Sequence, residues 1–139
     1  MPLVTLTVLD STPAAHRQAL LDAVHTALIA VGVPSADRFQ RVLALPPNAF
    51  VFDPHYPETS ETPETPEASP NNRSPRNERF AIVEVVWSVG RSVKIKKQLL
   101  QQLVEALRLI DHNPEQLMLV FKETAWENWS FAGGRMLHA

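Results

Sequence analysis

An internal repeat constrains this chain more than any other feature of its sequence. A shift of 79 positions places the apolar residues of two strands and one helix on matching apolar residues without a gap. Leu3, Val4 and Leu6 fall on Ile82, Val83 and Val85; Leu20, Leu21, Val24, Ala27 and Leu28 fall on Leu99, Leu100, Leu103, Ala106 and Leu107; Phe39 and Val42 fall on Met118 and Phe121. Because all three segments stay in phase, they predict two copies of one β-α-β unit.

Local signals bound the elements of the first copy. A strand is predicted over residues 2–8, and Ser11 or Thr12 is a candidate N-cap for a helix with Pro13 at its first position. Gly32 and Pro34 end that helix. A second strand covers 39–45, and residues 50–52 continue or cap it. The second copy predicts a strand over 80–89, a helix over 92–110 and a strand over 117–122.

Two β-α-β units predict an α/β (α+β) fold. A strand–helix–strand connection within one sheet makes its strands parallel, with a right-handed crossover. The pair of units then forms a four-stranded sheet with both helices on one face. Since the strands are too apolar for their other face to meet water, self-association is expected.

The 139 residues fit a single domain, 1–139. Within it we expect repeat units over 2–53 and 80–123 and a C-terminal arm or short hairpin over 124–139. The segment 58–79 is rich in proline and glutamate, with almost no large apolar side chains. Such a segment predicts a flexible surface loop, either a lid or a tolerated insertion.

Composition excludes several classes of function. With 13 basic and 15 acidic residues the net charge is −2, which argues against nucleic acid or an acidic membrane as partner. The absence of cysteine excludes thiol nucleophiles and zinc–thiolate sites. No apolar run approaches the roughly 20 residues of a membrane span, and the N-terminus lacks the basic region of a secretory signal. We therefore expect a cytoplasmic protein.

Pro2 is the strongest catalytic candidate. Residue two is small, so removal of Met1 is expected, and this would leave a secondary amine at the start of a strand. Desolvation or a nearby cation would make that amine a usable base near neutrality. The repeat places Ala81 at the equivalent position. The alternative is that Pro2 only begins an edge strand.

Arg91 precedes the second predicted helix, where a guanidinium and a helix N-terminus both favour a bound carboxylate. Lys94, Lys96 and Lys97 crowd the same helix end, which is locally unfavourable unless an anion or an acidic partner is near. A solvated charged face remains open for these lysines.

The quoted features together resemble a known family. Pro2 heading a strand, the doubled unit, GVPSADRFQ at 32–40, GRS at 90–92 and NWSF at 128–131 are similar to the tautomerase superfamily, with its 4-oxalocrotonate tautomerase-like fold. The malonate semialdehyde decarboxylase-like branch is the nearest in pattern. The resemblance covers nearly the whole chain outside 58–79. It implies a homotrimer, an amino-terminal proline catalyst, no metal, no organic cofactor, and small 2-oxo or 3-oxo acids or their enols as substrates.

The resemblance also implies residue roles. Pro2, Asp37 and Arg91 would be catalytic: Asp37 would orient the proline or activate water, and Arg91 would hold the substrate carboxylate. For Asp37, a turn residue is the alternative. Where the decarboxylases have a second arginine, this chain has Val89, so that carboxylate contact would come from elsewhere, such as Arg135 or a neighbouring subunit.

Trp129, Phe131 and His25 complete the predicted site as substrate-binding residues. Trp129 and Phe131 resemble the aromatic wall of the family's pocket, with packing at a trimer interface as the alternative. His25 resembles an assisting histidine, with a surface or interface position as the alternative.

The sequence thus predicts a cofactor-free tautomerase acting on small enol or 2-oxo acids. A decarboxylase or hydratase of a short 3-oxo acid, and a non-catalytic trimeric binding module, remain as alternatives.

Overall fold

The computed structural model describes residues 2–57 and 74–137. Within these residues the chain forms four strands and two α-helices in the order β-α-β-β-α-β. They are β1 (Leu3–Leu9), α1 (Ala14–Ala30), β2 (Phe39–Leu45), β3 (Ala81–Ser88), α2 (Val93–Leu109) and β4 (Leu117–Thr124).

The strands form one mixed sheet in the order β2-β1-β3-β4. Each helix crosses between two parallel strands, β1 with β2 and β3 with β4, while the central pair β1–β3 is antiparallel. Alternate strand residues such as Val4, Leu6, Val83 and Val85 join residues of both helices in one buried cluster. The helices contact each other over the same face of the sheet. The predicted fold class is confirmed.

The antiparallel central pair defines two ends of the sheet. The starts of β1 and β2 and the end of β3 lie together, as Leu3 is aligned with both Phe39 and Val86. We call this the Pro2 end. At the opposite end, here the far end, lie the end of β1 and the starts of β3 and β4, since Val8 is aligned with Ala81 and Ala81 with Leu117.

The predicted repeat extends to backbone detail. Moving the bounds of α1, 14 and 30, by 79 positions gives 93 and 109, the bounds of α2. The chain reverses after each helix through one residue in the left-handed region: Gly32 with φ +104° and its repeat counterpart Asp111 with φ +56°. Such a residue commonly ends a helix.

The predicted cap of α1 is wrong. Helix α1 begins at Ala14, and its N-cap is Pro13, which provides no side-chain cap. Neither Ser11 nor Thr12 caps the helix, because the chain makes a tight turn first, with Thr12 N donating to Leu9 O at 3.0 Å. In α2, by contrast, the Ser92 hydroxyl accepts from Ile95 N.

Residues 50–52 do not continue β2. A 3-10 turn over Pro47–Ala49 intervenes, since two successive prolines cannot donate to a strand ladder. Phe50 and Phe52 instead pack against Phe80 and form a second, smaller apolar cluster.

The C-terminal segment is an irregular arm in its described part. After β4 a 3-10 turn covers Trp126–Asn128, and no strand follows up to residue 137. Leu137 N donates to Trp129 O at 2.9 Å, which folds the arm back on itself.

Most of the predicted loop 58–79 lies outside the described residues. Its last part, 74–79, is held to the body of the protein by hydrogen bonds. Asn77 N donates to Gln116 Oε1 at 2.9 Å, and Gln116 Nε2 donates to Pro75 O at 2.8 Å.

The sheet face opposite the helices carries exposed apolar side chains. Phe39 and Leu43 on β2 and Met118 on β4 are each nearly half exposed. Polar pairs lie among them: Arg41 Nε donates to Thr5 Oγ1, and Lys122 forms an ion pair with Glu84 at 2.6 Å.

Candidate active site

Pro2 is buried at the start of β1. The next residue, Leu3, is aligned with Phe39 of β2 on one side and with Val86 of β3 on the other. Pro2 therefore lies where three strands begin or end, and neighbouring strands on both sides restrict its movement.

Asp37 and Arg91 approach the Pro2 end from separate loops. Asp37 lies in the turn before β2, where its backbone N donates to Pro34 O at 3.0 Å. Arg91 lies between β3 and α2, and its Nη1 donates to Ser88 O at 2.8 Å. Partial burial lowers the pKa of Arg91 from its ordinary value, while the Asp37 and Glu123 carboxylates raise it. Asp37 is thus near enough to Arg91 to stabilise its positive charge.

Two aromatic residues of the C-terminal arm pack over the start of β2. The rings of Trp129 and Phe131 are stacked with their centroids 6.3 Å apart, and Phe131 lies 5.5 Å from Phe39. Since Phe39 is aligned with Leu3, this aromatic group lies at the Pro2 end. It joins three residues from two distant parts of the chain.

His25 supports the Asp37 turn. It is buried on α1, and its Nε2 lies 2.9 Å from Ser35 O. A carbonyl only accepts, so this nitrogen carries a proton and donates. The observed contact is therefore with the protein backbone, two residues before Asp37.

Sequence reasoning missed Trp87 and its neighbours. The Arg91 guanidinium carbon lies 4.3 Å above the centre of the Trp87 ring, which stacks on Phe121 at 4.9 Å and 9°. Lys96 Nζ lies 5.9 Å from the Phe121 ring and pairs with Glu123. Glu123 of β4 is therefore the acidic partner of Lys96, one of the three lysines that crowd the start of α2. The available signal was the repeat, which places Trp87 over the much smaller Val8.

Buried donors accumulate near this end. Trp87 Nε1, Ser88 Oγ and Trp129 Nε1 are buried and have no hydrogen-bond partner among the described residues. The two indole N–H groups can only donate, whereas the Ser88 hydroxyl can donate or accept. Arg135, the sequence candidate for a second guanidinium, lies in the arm beside Gly133.

Within the described residues, no group of three or more His, Asp or Glu side chains is arranged to hold a metal ion. None of the helices in the same residues is long and apolar enough to cross a membrane.

A match to a protein-family model shows the family of this chain. The model of a family described as tautomerase enzyme matches residues 37–132, more than half of the 139 residues. The chain belongs to the tautomerase family. No curated protein sequence matches it.

Solved structures resemble this chain over nearly the whole fold. FG41 malonate semialdehyde decarboxylase, inhibited by 3-bromopropiolate, is 24% identical over 96% of this chain and 91% of that one, with a TM-score of 0.78. A second malonate semialdehyde decarboxylase, described as having decarboxylase and hydratase activities, is 25% identical over 96% and 92%, with a TM-score of 0.76. A fused 4-OT symmetric trimer is 18% identical over 96% and 94%, with a TM-score of 0.67. These matches support the predicted superfamily and its malonate semialdehyde decarboxylase-like branch.

Proposed function

We propose that this tautomerase-family chain is a cofactor-free tautomerase of small acidic enols or 2-oxo acids, with Pro2 as its base. The observation that carries the proposal is the burial of Pro2 at a sheet end that also receives Asp37 and Arg91. After removal of Met1, this end of the sheet would carry an amine at Pro2, the Asp37 carboxylate and the Arg91 guanidinium, each from a separate segment. That combination suits proton transfer on a substrate that itself carries a carboxylate.

The proposed reaction moves one proton between oxygen and carbon. With Met1 removed, the Pro2 nitrogen is a secondary amine; burial and the nearby Arg91 guanidinium favour its neutral form. The amine takes the enol O–H proton and returns a proton to the neighbouring carbon, so the amine is regenerated. Arg91 binds the substrate carboxylate, Asp37 orients the amine, and Trp129 and Phe131 exclude water.

We test this proposal with Pro2→Ala. The variant keeps a small second residue, so Met1 is still removed, but the secondary amine becomes a primary one. We expect kcat/KM for ketonisation of an acidic enol, followed by ultraviolet absorbance, to fall at least about 100-fold. Pro47→Ala, an exposed proline in a turn, is the matched control and should keep full activity. Undiminished turnover by Pro2→Ala, or Met1 intact in the active enzyme by mass spectrometry, would contradict the proposal.

A decarboxylase or hydratase of a short 3-oxo acid is the second candidate. It is favoured by the likeness to the malonate semialdehyde decarboxylases and by the half-buried Arg91, which suits a carboxylate. Val89 opposes it, because the second arginine of that pattern is missing. We expect slow carbon dioxide release from malonate semialdehyde, increased by Val89→Arg. Fast release by the wild type would rank decarboxylation first, and a lack of turnover of any of these acids would favour a binding module.

The proposed functional unit is a homotrimer. Trimers occur among the solved relatives, such as fused 4-OT. In this chain the exposed Phe39, Leu43 and Met118 lie on one sheet face, where a neighbouring subunit would cover them.

A further inference from the structure

The far end of the sheet contains a cavity that the proposed function does not use. It measures about 410 Å³ and is lined by residues 11–13 together with His16, Glu78 and Arg79. A neighbouring cavity of about 340 Å³ shares Arg79 and is lined also by His112 and Asp111. A guanidinium and two imidazoles therefore meet between two cavities, at the end of the sheet opposite Pro2.

The cluster of His16, His112 and Arg79 has one hydrogen-bond acceptor fewer than its contacts require. His112 Nε2 lies 3.0 Å from Gln116 O, so Nε2 carries the proton and Nδ1 of the neutral ring accepts. His16 Nε2, 2.9 Å from that Nδ1, must then be the donor. Yet Arg79 Nη2, which can only donate, lies 3.2 Å from the same His16 Nε2. Two donors therefore face each other.

Protonation of His112 does not resolve the conflict. An imidazolium would donate through Nδ1 and leave His16 Nε2 free to accept, but His112 is fully buried. Burial lowers the pKa of His112, the hydrogen bond to Gln116 O opposes this, and the Arg79 guanidinium lowers the pKa again. Burial and Arg79 also lower the pKa of His16, with Asp111 opposing, so the neutral form of both rings is favoured. An acceptor that enters the cavity would relieve the conflict.

Hydrogen bonds hold the segment that carries Arg79 against the body of the protein. Arg79 N donates to Asn77 Oδ1 at 2.9 Å, and Asn77 N donates to Gln116 Oε1 at 2.9 Å. Gln116 is itself fully buried. These bonds fix the backbone that carries Arg79, and from there its Nη2 reaches to 3.2 Å from His16 Nε2.

The internal repeat relates the lining of this cavity to the Pro2 end. Residues 11–13 are the repeat counterparts of 90–92, the segment that carries Arg91 at the Pro2 end. Thr12 takes the place of Arg91, and Ala81 takes the place of Pro2. The nitrogen of Ala81 is an amide within the chain, so this end lacks an amine base. Arg79 instead supplies the guanidinium from the chain just before β3.

We propose that the cavity at the far end binds a small oxyanion, a carboxylate or a phosphate, on Arg79 and His16. The anion would accept from Arg79 and separate the two facing donors. The positive end of the α1 dipole, beginning at Ala14, adds to the attraction, whereas Glu78 and Asp111 weaken it. Because this end lacks an amine base, the site would bind the anion without catalysing its reaction.

Binding is measured by isothermal titration with inorganic phosphate and, separately, with malonate. All titrations use the Arg91→Gln background, which removes the proposed carboxylate site at the Pro2 end. We expect binding of at least one of the two anions, weakened about tenfold or more by Arg79→Gln. Arg76→Gln is the matched control, since the Arg76 guanidinium donates to Asp53 O and lies over Phe80; it should leave affinity unchanged.

A second readout follows the histidines directly. On anion binding, the imidazole ¹⁵N resonances of His16 should shift, and Arg79→Gln should abolish that shift. Absence of binding by both anions, or equal weakening by Arg79→Gln and Arg76→Gln, would overturn the proposal. Neither measurement involves catalysis, so failure here is distinguishable from failure of the proposed tautomerase activity.

Discussion

Arg91 is held by two kinds of contact at once. Its Nη1 donates to Ser88 O, and its guanidinium lies on the Trp87 ring. Both neighbours come from the end of β3, so the strand that pairs with β1 also fixes the cation near Pro2. The sequence predicts Arg91 because a guanidinium before a helix suits an anion. It does not predict the Trp87 contact, since stacking depends on how β3 and the following loop pack.

Arg91→Gln tests whether this cation binds the substrate carboxylate. A charge-assisted pair contributes roughly 1.5–3 kcal/mol, so kcat/KM for an acidic enol should fall about 10- to 150-fold, chiefly through KM. The methyl ester of the same substrate lacks the charge and should be affected far less. The measurement compares the two substrates in the same variant. Equal losses on acid and ester would show that Arg91 does not bind the carboxylate and acts only through the fold or through the Pro2 amine.

The two helices share their length and their termination but differ at their starts. Their apolar spacing and the left-handed residues that follow them are repeated, and such periodic features are predictable from sequence. The caps are not, because Ser11, Thr12 and Pro13 all suit a helix start. Tertiary turn geometry decides among them, and here Thr12 is used in the turn after β1.

Removal of the α2 cap should lower stability, and the matching change at α1 should not. Ser92→Ala removes the hydroxyl that accepts from Ile95 N and should reduce the free energy of unfolding by about 1 kcal/mol. Ser11→Ala is the control, because α1 has no side-chain cap. Urea denaturation measures both. A loss for Ser11→Ala equal to that for Ser92→Ala would mean that the hydroxyl at Ser92 does not act as a cap.

The histidine contact between α1 and the segment after α2 predicts a pH dependence of stability. The pKa of His16 and of His112 is lowered from 6.5, mainly by burial. At pH values between the lowered pKa values and 6.5, the unfolded chain binds more protons than the folded one. The stability that the two neutral histidines contribute is therefore fully present above pH 6.5 and decreases as the pH falls. We expect the melting temperature to drop from pH 7 to pH 5.

Two variants check the origin of that slope. His112→Asn should flatten the dependence between pH 7 and 5, whatever its effect on stability itself. Asp22→Asn should leave it unchanged, because hydrogen bonds from Arg38 and Gln18 hold the pKa of Asp22 below 3.8, outside this range. An unaltered slope in His112→Asn would assign the dependence to other groups.

At the scale of the whole molecule, the sheet face opposite the helices carries the exposed apolar side chains that the proposed trimer would cover. The repeat alone predicts that this face is apolar, because its strands carry apolar residues on both sides. Its polar pairs, Arg41 with Thr5 and Lys122 with Glu84, were not predictable, because strand register decides which side chains become neighbours.

A charge placed on this face should prevent assembly. Leu43→Glu introduces a carboxylate among exposed apolar side chains and should convert the proposed trimer to monomers in sedimentation analysis. Leu109→Glu, at an 88% exposed position on α2, is the control and should sediment as the wild type. The melting temperature of the wild type, but not of Leu43→Glu, should rise with protein concentration. A wild type that stays monomeric at micromolar concentration contradicts the trimer.

The antiparallel β1–β3 pair has a consequence during protein synthesis. When only the first β-α-β unit has emerged from the ribosome, the edge of β1 that will meet β3 is unpaired, and an unpaired edge attracts other strands. An antiparallel pair is compatible with a twofold axis, so two such nascent halves can pair with each other through β1. Completion of β3 on the same chain supplies the partner at high effective concentration. Because the two units are covalently linked, β1 pairs with β3 of the same chain, and this pairing does not depend on protein concentration.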